Sequence, residues 1–310
     1  MSNDFSINGG SASKNFIEVL MKFIFFLCGM TAVTAVLAIT LYMIISGTPA
    51  LFKVGIIDML FNTAWAPTAS EPSFGIAYMI LTSVIGTACA IVIGVPVGLL
   101  AAVFLSEVAH KKVAAAVKPA VELLAGIPSI VYGLMGVLII NPLMYKLELL
   151  IFSGSKTHQF TGGANMLAAI LVLAVMILPT VINVSETSLR AVPAELRAAS
   201  LALGATKTQT IFKTTIPAAK NGIITAIVLG VGRAIGEAMA IVLVSGNSVN
   251  LPVPFNSVRF LTTGIVSEMS YSSGLHRQAL FTVGLVLFAF IMIINIVINK
   301  IIKGGSKDAK

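Results

Sequence analysis

Two opposite charges sit inside an apolar run. In GIITAIVLGVGRAIGEAMAIVLVSG, residues 222–246, Arg233 falls about eleven positions from the start, near the middle of a helix crossing roughly 30 Å of hydrocarbon at 1.5 Å per residue. An arginine at that depth costs roughly 2.5–3.5 kcal/mol on insertion scales, so it should face a bundle interior or a water-filled path and have a partner. Its planar guanidinium offers donors in a fork that suits the oxygens of phosphate. Glu237 follows four residues later, on the same face of a continuous helix and within reach of Arg233. There it would compete for the guanidinium and let a bound anion leave. The alternative is an ion pair that locks two helices together. Gly232 and Gly236 flank the charges in a G-x-x-x-G spacing that lets another helix approach closely.

A second constellation lies just upstream, in PAELRAASLALGATKTQTIFKTTIPAAKNG, residues 193–222. Pro193 suits the first turn of a helix, Leu196, Ala199 and Leu203 share one apolar face, and Gly204 is a natural helix stop. Thr206 and Gln209 have capping-box spacing, which starts a second short helix running to about Thr215, ahead of Pro217. The segment 193–217 is therefore a helix-turn-helix, a surface for a soluble partner to grip. The bland alternative is an amphipathic hairpin lying on anionic lipid, with Lys207, Lys213 and Lys220 at the headgroups.

The elements that must carry these residues follow from composition. Of 310 residues 57% are hydrophobic and 10% charged, and the mean hydropathy of +0.99 excludes a soluble globular domain. Apolar runs at about 23–46, 77–104, 128–150, 166–185, 222–244 and 279–302 predict six transmembrane helices, an all-α polytopic membrane protein with one membrane domain over 23–302. A polar N-terminal tail, 1–22, precedes it and a basic tail, 303–310, follows. The first run is too long for a cleaved signal. Pro119, Pro128 and Pro142 interrupt the stretch from Val113 to Ile151 that holds the third, and a partial helix or re-entrant turn fits it equally well. Fourteen lysines and arginines fall on the side of the termini and the 193–217 loop, and five on the other, which places both termini and that loop in the cytoplasm. The net charge of +8 belongs to those loops rather than to nucleic-acid binding.

Ser129, after Pro128, could cap a helix at the pathway, where exposed N–H groups favour an anion, or simply cap a broken span. Lys118 and Glu122 read as solvated charges. Gly94, Pro96 and Gly98 read as ordinary helix packing, and Trp65 and Tyr271 as interfacial aromatics. His110, His158 and His276 are dispersed without ligand spacing, so no metal is expected. Cys28 and Cys89 lie in apolar runs as small buried side chains. No nucleophile–base arrangement and no phosphate-binding G-x-x-x-x-G-K-[ST] loop occurs, so no catalysis and no cofactor are expected of this chain.

The 193–217 spacing resembles the "EAA" loop of ABC importer permeases: Glu-Ala-Ala, three residues, Gly, nine residues, an aliphatic, one residue, Leu-Pro. Ala199, Gly204 and Pro217 are in register, whereas Ala198, Ser200, Thr214 and Ile216 depart from it. GVGRAIGEAMAIVLVSGN (230–247), LLAGIPSIVYGLMG (123–136) and GLHRQALFTVGLVLF (274–288) narrow the resemblance to the PstC-type permease subunit of phosphate ABC importers. That resemblance implies a type I importer fold in the bacterial plasma membrane, carrying inorganic phosphate inward by alternating access. It implies a heterodimer with a PstA-type permease, a PstB-type ABC ATPase dimer holding ATP and Mg, and an external PstS-type phosphate-binding protein. Arg233, Glu237 and Ser129 are the expected pathway residues. Glu195, Arg197, Ala198, Ala199, Ser200, Gly204 and Pro217 form the expected ATPase coupling loop, where Glu195 or Arg197 stands in for the motif's Glu. A permease for another oxyanion, sulfate or molybdate, and a free-standing anion channel or carrier are the competing readings.

Overall fold

A computed structural model describes residues 12–155 and 157–307. Residues 1–11, Lys156 and residues 308–310 lie outside the described residues, and with them the start of the expected tail and the charges counted at Lys156 and Lys310.

Helix α1, Ala12–Val54, begins well before the apolar run expected to start at 23. Its apolar side chains, Phe23 through Ile45, are exposed around most of its surface, as a helix facing lipid requires. A short α2, Ile56–Phe61, follows. Then comes a two-residue antiparallel ladder, β1 Trp65–Ala66 with β2 Ser73–Phe74, pairing Trp65 with Phe74. The second span is α3, Ala77–Val103, which widens into a π turn at Phe104–Val108.

Of the three prolines of the next stretch only Pro128 separates two helices. α4, Lys111–Gly126, is a distinct helix containing Pro119. Ile127 and Pro128 are extended, with ψ of 130° and 138°. The third span then runs unbroken over 24 residues, as α5 Ser129–Met135, a π turn Gly136–Ile140 and α6 Asn141–Phe152. Pro142 sits in the first turn of α6, where its missing N–H removes little. The partial-helix and re-entrant alternatives are not adopted.

The fourth span, α7 Met166–Arg190, is capped by the Asn165 side chain, which accepts from Ala168 N at 3.0 Å. The 193–217 segment forms α8 Ala194–Ala202, α9 Lys207–Thr210, a π turn Ile211–Thr215 and α10 Ile216–Ala218. The second arm thus continues through Pro217 instead of stopping ahead of it. The fifth span departs most from expectation. It is divided into α11 Lys220–Gly236 and α12 Met239–Val244, and α11 bends 70° away from 207–218. α13, Leu261–Glu268, leads to the last span, α14 Gly274–Lys307. The expected basic tail therefore starts inside a helix.

α7 is the centre of the bundle. Its buried Met166, Ile170, Leu173, Ile177 and Val181 meet α3, α11 and α12. Close approach depends on small residues: a Cβ added at Gly94 would lie 2.6 Å from Ile177 Cδ1, and one at Gly98 would lie 2.8 Å from Val181 Cγ1. Gly133 approaches Ala240 in the same way and joins α5 to α12. α1 rests on α14, where Thr282 donates to the Gly47 carbonyl at 2.7 Å.

Gly94→Val should destabilise the bundle by about 1–3 kcal/mol through overpacking. Gly29→Ala, where an added Cβ meets nothing within 4 Å, should be neutral or slightly stabilising. Thermal unfolding of the purified chain in detergent distinguishes the two, and equal midpoints would refute the packing account.

Candidate functional site

α11 ends at Gly236, and Glu237 is extended with φ −73° and ψ 128°. Arg233 and Glu237 are therefore not on one face of a continuous helix, and the expected pair does not form. Glu237 turns forward instead: its Oε1 accepts from Ala240 N at 2.9 Å, satisfying one of the free N–H groups that start α12. Its carbonyl accepts from Thr262 Oγ1 at 2.7 Å. The carboxylate was legible as an intramembrane acid, but its partner is backbone.

Arg233 occupies the last turn of α11, where a cation suits the helix dipole. Its guanidinium is half-buried and donates from Nη1 to Thr180 Oγ1 on α7 at 3.4 Å, a long bond that leaves most of its donors for another acceptor. Tyr132, on α5, lies within the electrostatic reach of Arg233. Its hydroxyl donates to the Leu124 carbonyl at 2.7 Å, bridging the Ile127–Pro128 break. Ser129 is half-buried in the first turn of α5, three residues before Tyr132 and on the same helical face. The α5 N-terminus has no side-chain cap, so Ser129 does not act as the cap anticipated for it. α11 thus sets against α7 a cation with one hydrogen-bond partner among the described residues, and Tyr132 of α5 lies within its field. An added Cβ at Gly232 or Gly236 meets nothing within 4 Å, which leaves that face of α11 open.

The helix-turn-helix stands at the opposite end of α7 from Asn165. Gly204 adopts φ +85°, a conformation that favours glycine. Thr206 and Gln209 complete a reciprocal capping box. Ser200 and Thr210 hydroxyls lie 3.0 Å apart and tie the two arms. Glu195, Ala198, Ala199 and Pro217 are exposed, and Leu203 is 90% exposed. The apolar face of Leu196, Ala199 and Leu203 is therefore uncovered in this chain, with Phe212 also exposed. Arg197 differs: it is turned inward. Its Nη2 donates to Glu107 Oε1 at 2.8 Å and to the Leu189 carbonyl at 2.7 Å, and its Nη1 to the Val192 carbonyl at 3.1 Å. Its charge is spent holding the loop against α3 and α7.

Sequence reasoning missed the buried glutamates. Glu186 on α7 pairs with Lys118 at 3.0 Å and with Arg190, so Lys118 is an anchored charge and not a merely solvated one. Glu148 is fully buried and accepts from the His158 ring at 2.8 Å and from Thr161 N at 3.0 Å. Glu268 accepts from Trp65 Nε1 at 2.9 Å, from the His276 ring at 2.8 Å and from Arg259. Trp65 is consequently a strut between the β ladder and α13. Acids inside or at the ends of apolar runs were the available signal, because each needs a partner. Among the described residues no three His, Cys, Asp or Glu side chains converge as a metal site.

A family model described as "Binding-protein-dependent transport system inner membrane component" matches residues 94–304. The chain is 36% identical over 287 residues to a probable ABC transporter permease protein, YqgH, of Bacillus subtilis, covering 90% of each chain. It is 34% identical over 245 residues to the phosphate transport system permease protein PstC of Pasteurella multocida, covering 74% of this chain and 75% of that one. A bacterial ABC transporter involved in import of the acidic polysaccharide alginate shares the fold, with a TM-score of 0.61 at 17% identity over 93% of this chain and 98% of that chain.

Two losses of stability should separate the roles of these side chains. Arg197→Ala strands Glu107, whose side chain is 10% exposed, and should cost roughly 3 kcal/mol, whereas Glu195→Ala should stay within about 0.5 kcal/mol. Glu237→Ala should cost about 1 kcal/mol as a lost cap, and Glu237→Gln, which keeps an acceptor, should cost less. Thermal unfolding in detergent reads both, and an Arg197→Ala chain as stable as Glu195→Ala would refute the internal role of Arg197.

Proposed function

The chain belongs to the family of binding-protein-dependent transport system inner membrane components, and from that premise we propose that it forms half of the membrane path of an ATP-driven importer for inorganic phosphate. The observation that carries the reading is Arg233, a half-buried guanidinium beside α7 with one long hydrogen bond to a hydroxyl and no carboxylate partner among the described residues. A phosphate oxyanion can complete its donors, because the fork offers two parallel N–H groups to two oxygens. Tyr132 lies within the field of that cation, and Ser129, one turn earlier on α5, would add a polar group along the path. Glu237 lowers the local positive potential and keeps the α11–α12 break intact, so the site holds its anion loosely enough to release it. The phosphate permease relative supports this choice of anion.

The loop from Pro193 to Pro217 is proposed as the coupling surface for a PstB-type ATPase dimer, which alone would hold ATP and Mg; this chain would bind neither. Its uncovered Leu196, Leu203 and Phe212 suit an apolar groove on such a partner. The open Gly232 and Gly236 face and the exposed apolar spans suit a PstA-type permease, completing the path as a heterodimer. A PstS-type binding protein would deliver phosphate at the end carrying Trp65 and Glu268. The lysine and arginine asymmetry supports cytoplasmic termini and a cytoplasmic coupling loop in a bacterial plasma membrane. Closure of the ATPases would push the loops and turn the Arg233 region from outward to inward access.

Uptake of labelled phosphate and labelled sulfate at low external concentration, in cells lacking this chain and any redundant phosphate importer, tests the reading. Wild-type chain should restore phosphate uptake alone. Arg233→Ala should lose roughly tenfold or more, the worth of charge-assisted hydrogen bonds, while still co-purifying with its partners. Normal uptake by Arg233→Ala would remove the pathway role, and restoration of sulfate instead of phosphate would remove the substrate.

A further inference from the structure

At the coupling-loop end of the bundle, α4, the π turn that ends α3 and the last turn of α7 enclose a cavity of about 490 Å³. Three cations line it: Lys111, Lys118 and Arg190. Behind them Glu186, with a side chain 2% exposed, holds Lys118 at 3.0 Å and also pairs with Arg190. Lys111 makes no ion pair among the described residues. Glu107, the other nearby acid, is balanced by Arg197. The cavity therefore carries a surplus of two positive charges, preorganised by a buried carboxylate. The rest of its lining includes Leu105, Ala114 and Ala115. Around it, on the π turn and α4, Val108, Val113 and Val117 are 53%, 44% and 39% exposed.

We propose that this cavity binds the phosphodiester headgroup of an anionic phospholipid from the leaflet at the coupling-loop end, with the acyl chains lying on the exposed valines. A free phosphate would match the cations but would gain nothing from the apolar surroundings, whereas a lipid matches both. Basic pockets between helices at a membrane surface have this preference. Occupancy would reach the coupling loop through a short chain of contacts. Ser106 lines the cavity and donates to Glu107 Oε1 at 3.1 Å, the same oxygen that accepts from Arg197 of α8 at 2.8 Å. The site is separate from the Arg233 path, so its test can fail while the transport reading stands.

Native mass spectrometry of the purified full chain, loaded with phosphatidylglycerol or phosphatidylcholine, tests it. Phosphatidylglycerol should be retained in preference. Lys111→Gln should lower that retention roughly fivefold, the usual worth of one basic side chain at a charged membrane surface. It should still fold, because a cation at a helix N-terminus is unfavourable. Lys112→Gln, next door and outside the cavity, should change little. Ala115→Trp, at an exposed position of α4, should fill the cavity and lose the lipid without changing charge. Millimolar inorganic phosphate should leave the lipid bound. Equal retention of the two lipids, equal losses at Lys111 and Lys112, or displacement by inorganic phosphate would each overturn the proposal, the last by making a free anion the ligand.

Discussion

Hydrocarbon offers no water to an unpaired N–H or C=O, and the architecture depends on how the chain meets that constraint. Continuous helix meets it along most of the spans, while Ile127–Pro128 separates α4 from the third span and Glu237–Ala238 divides the fifth. Both interruptions are repaired by neighbours. Tyr132 donates to the Leu124 carbonyl across the first. At the second, the Glu237 carboxylate takes the Ala240 N–H and Thr262 donates to the Glu237 carbonyl. The second break begins four residues after Arg233, so the feature that makes the fifth span irregular also puts an arginine where the backbone is open.

A second requirement follows from burying acids. Glu148, Glu186 and Glu268 each lie within or beside apolar surroundings and each has at least two partners. A buried carboxylate with partners drawn from several elements fixes those elements relative to one another, because losing one partner leaves a costly unpaired charge. Glu268 does this at one end of the bundle, joining the β ladder, α13 and α14. Glu186 does it at the other, joining α4 to α7. The apolar interfaces between α3, α7 and α11 supply the area, and the acids supply the registration.

Much of this was legible in the residues, for identifiable reasons. Long apolar runs locate spans because length against hydrocarbon thickness is a strong signal, and the Thr206–Gln209 capping box and Gly204 turn are local chemistry. The break in the fifth span was not legible. The run from Gly222 to Val244 is uninterrupted by proline, and its opening depends on Thr262, which arrives from a segment 25 residues later. The same distance hid the true role of Glu237, which in sequence is a fitting i+4 partner for Arg233 and in space is a cap. Lys118 and Glu186 are 68 positions apart, beyond any spacing argument, although Glu186 and Arg190 four residues later were within it. At α1 the apolar count located the membrane portion but not the helix start, because helical conformation extends into polar sequence at Ala12.

The inward turn of Arg197 has a mechanical consequence. One guanidinium is bonded at once to the π turn after α3, to the end of α7 and to the Val192 carbonyl beside the loop. These parts therefore form a rigid lever arm, and a load applied to α8 enters the second and fourth spans together instead of stretching the peptide between Arg190 and Ala194. Compliance must then lie elsewhere along the chain. The non-helical residues at 127–128 and 237–238 lack helical stiffness, and the second pair begins four residues after Arg233, so displacement of the lever is absorbed as rotation next to the place where the charge is held.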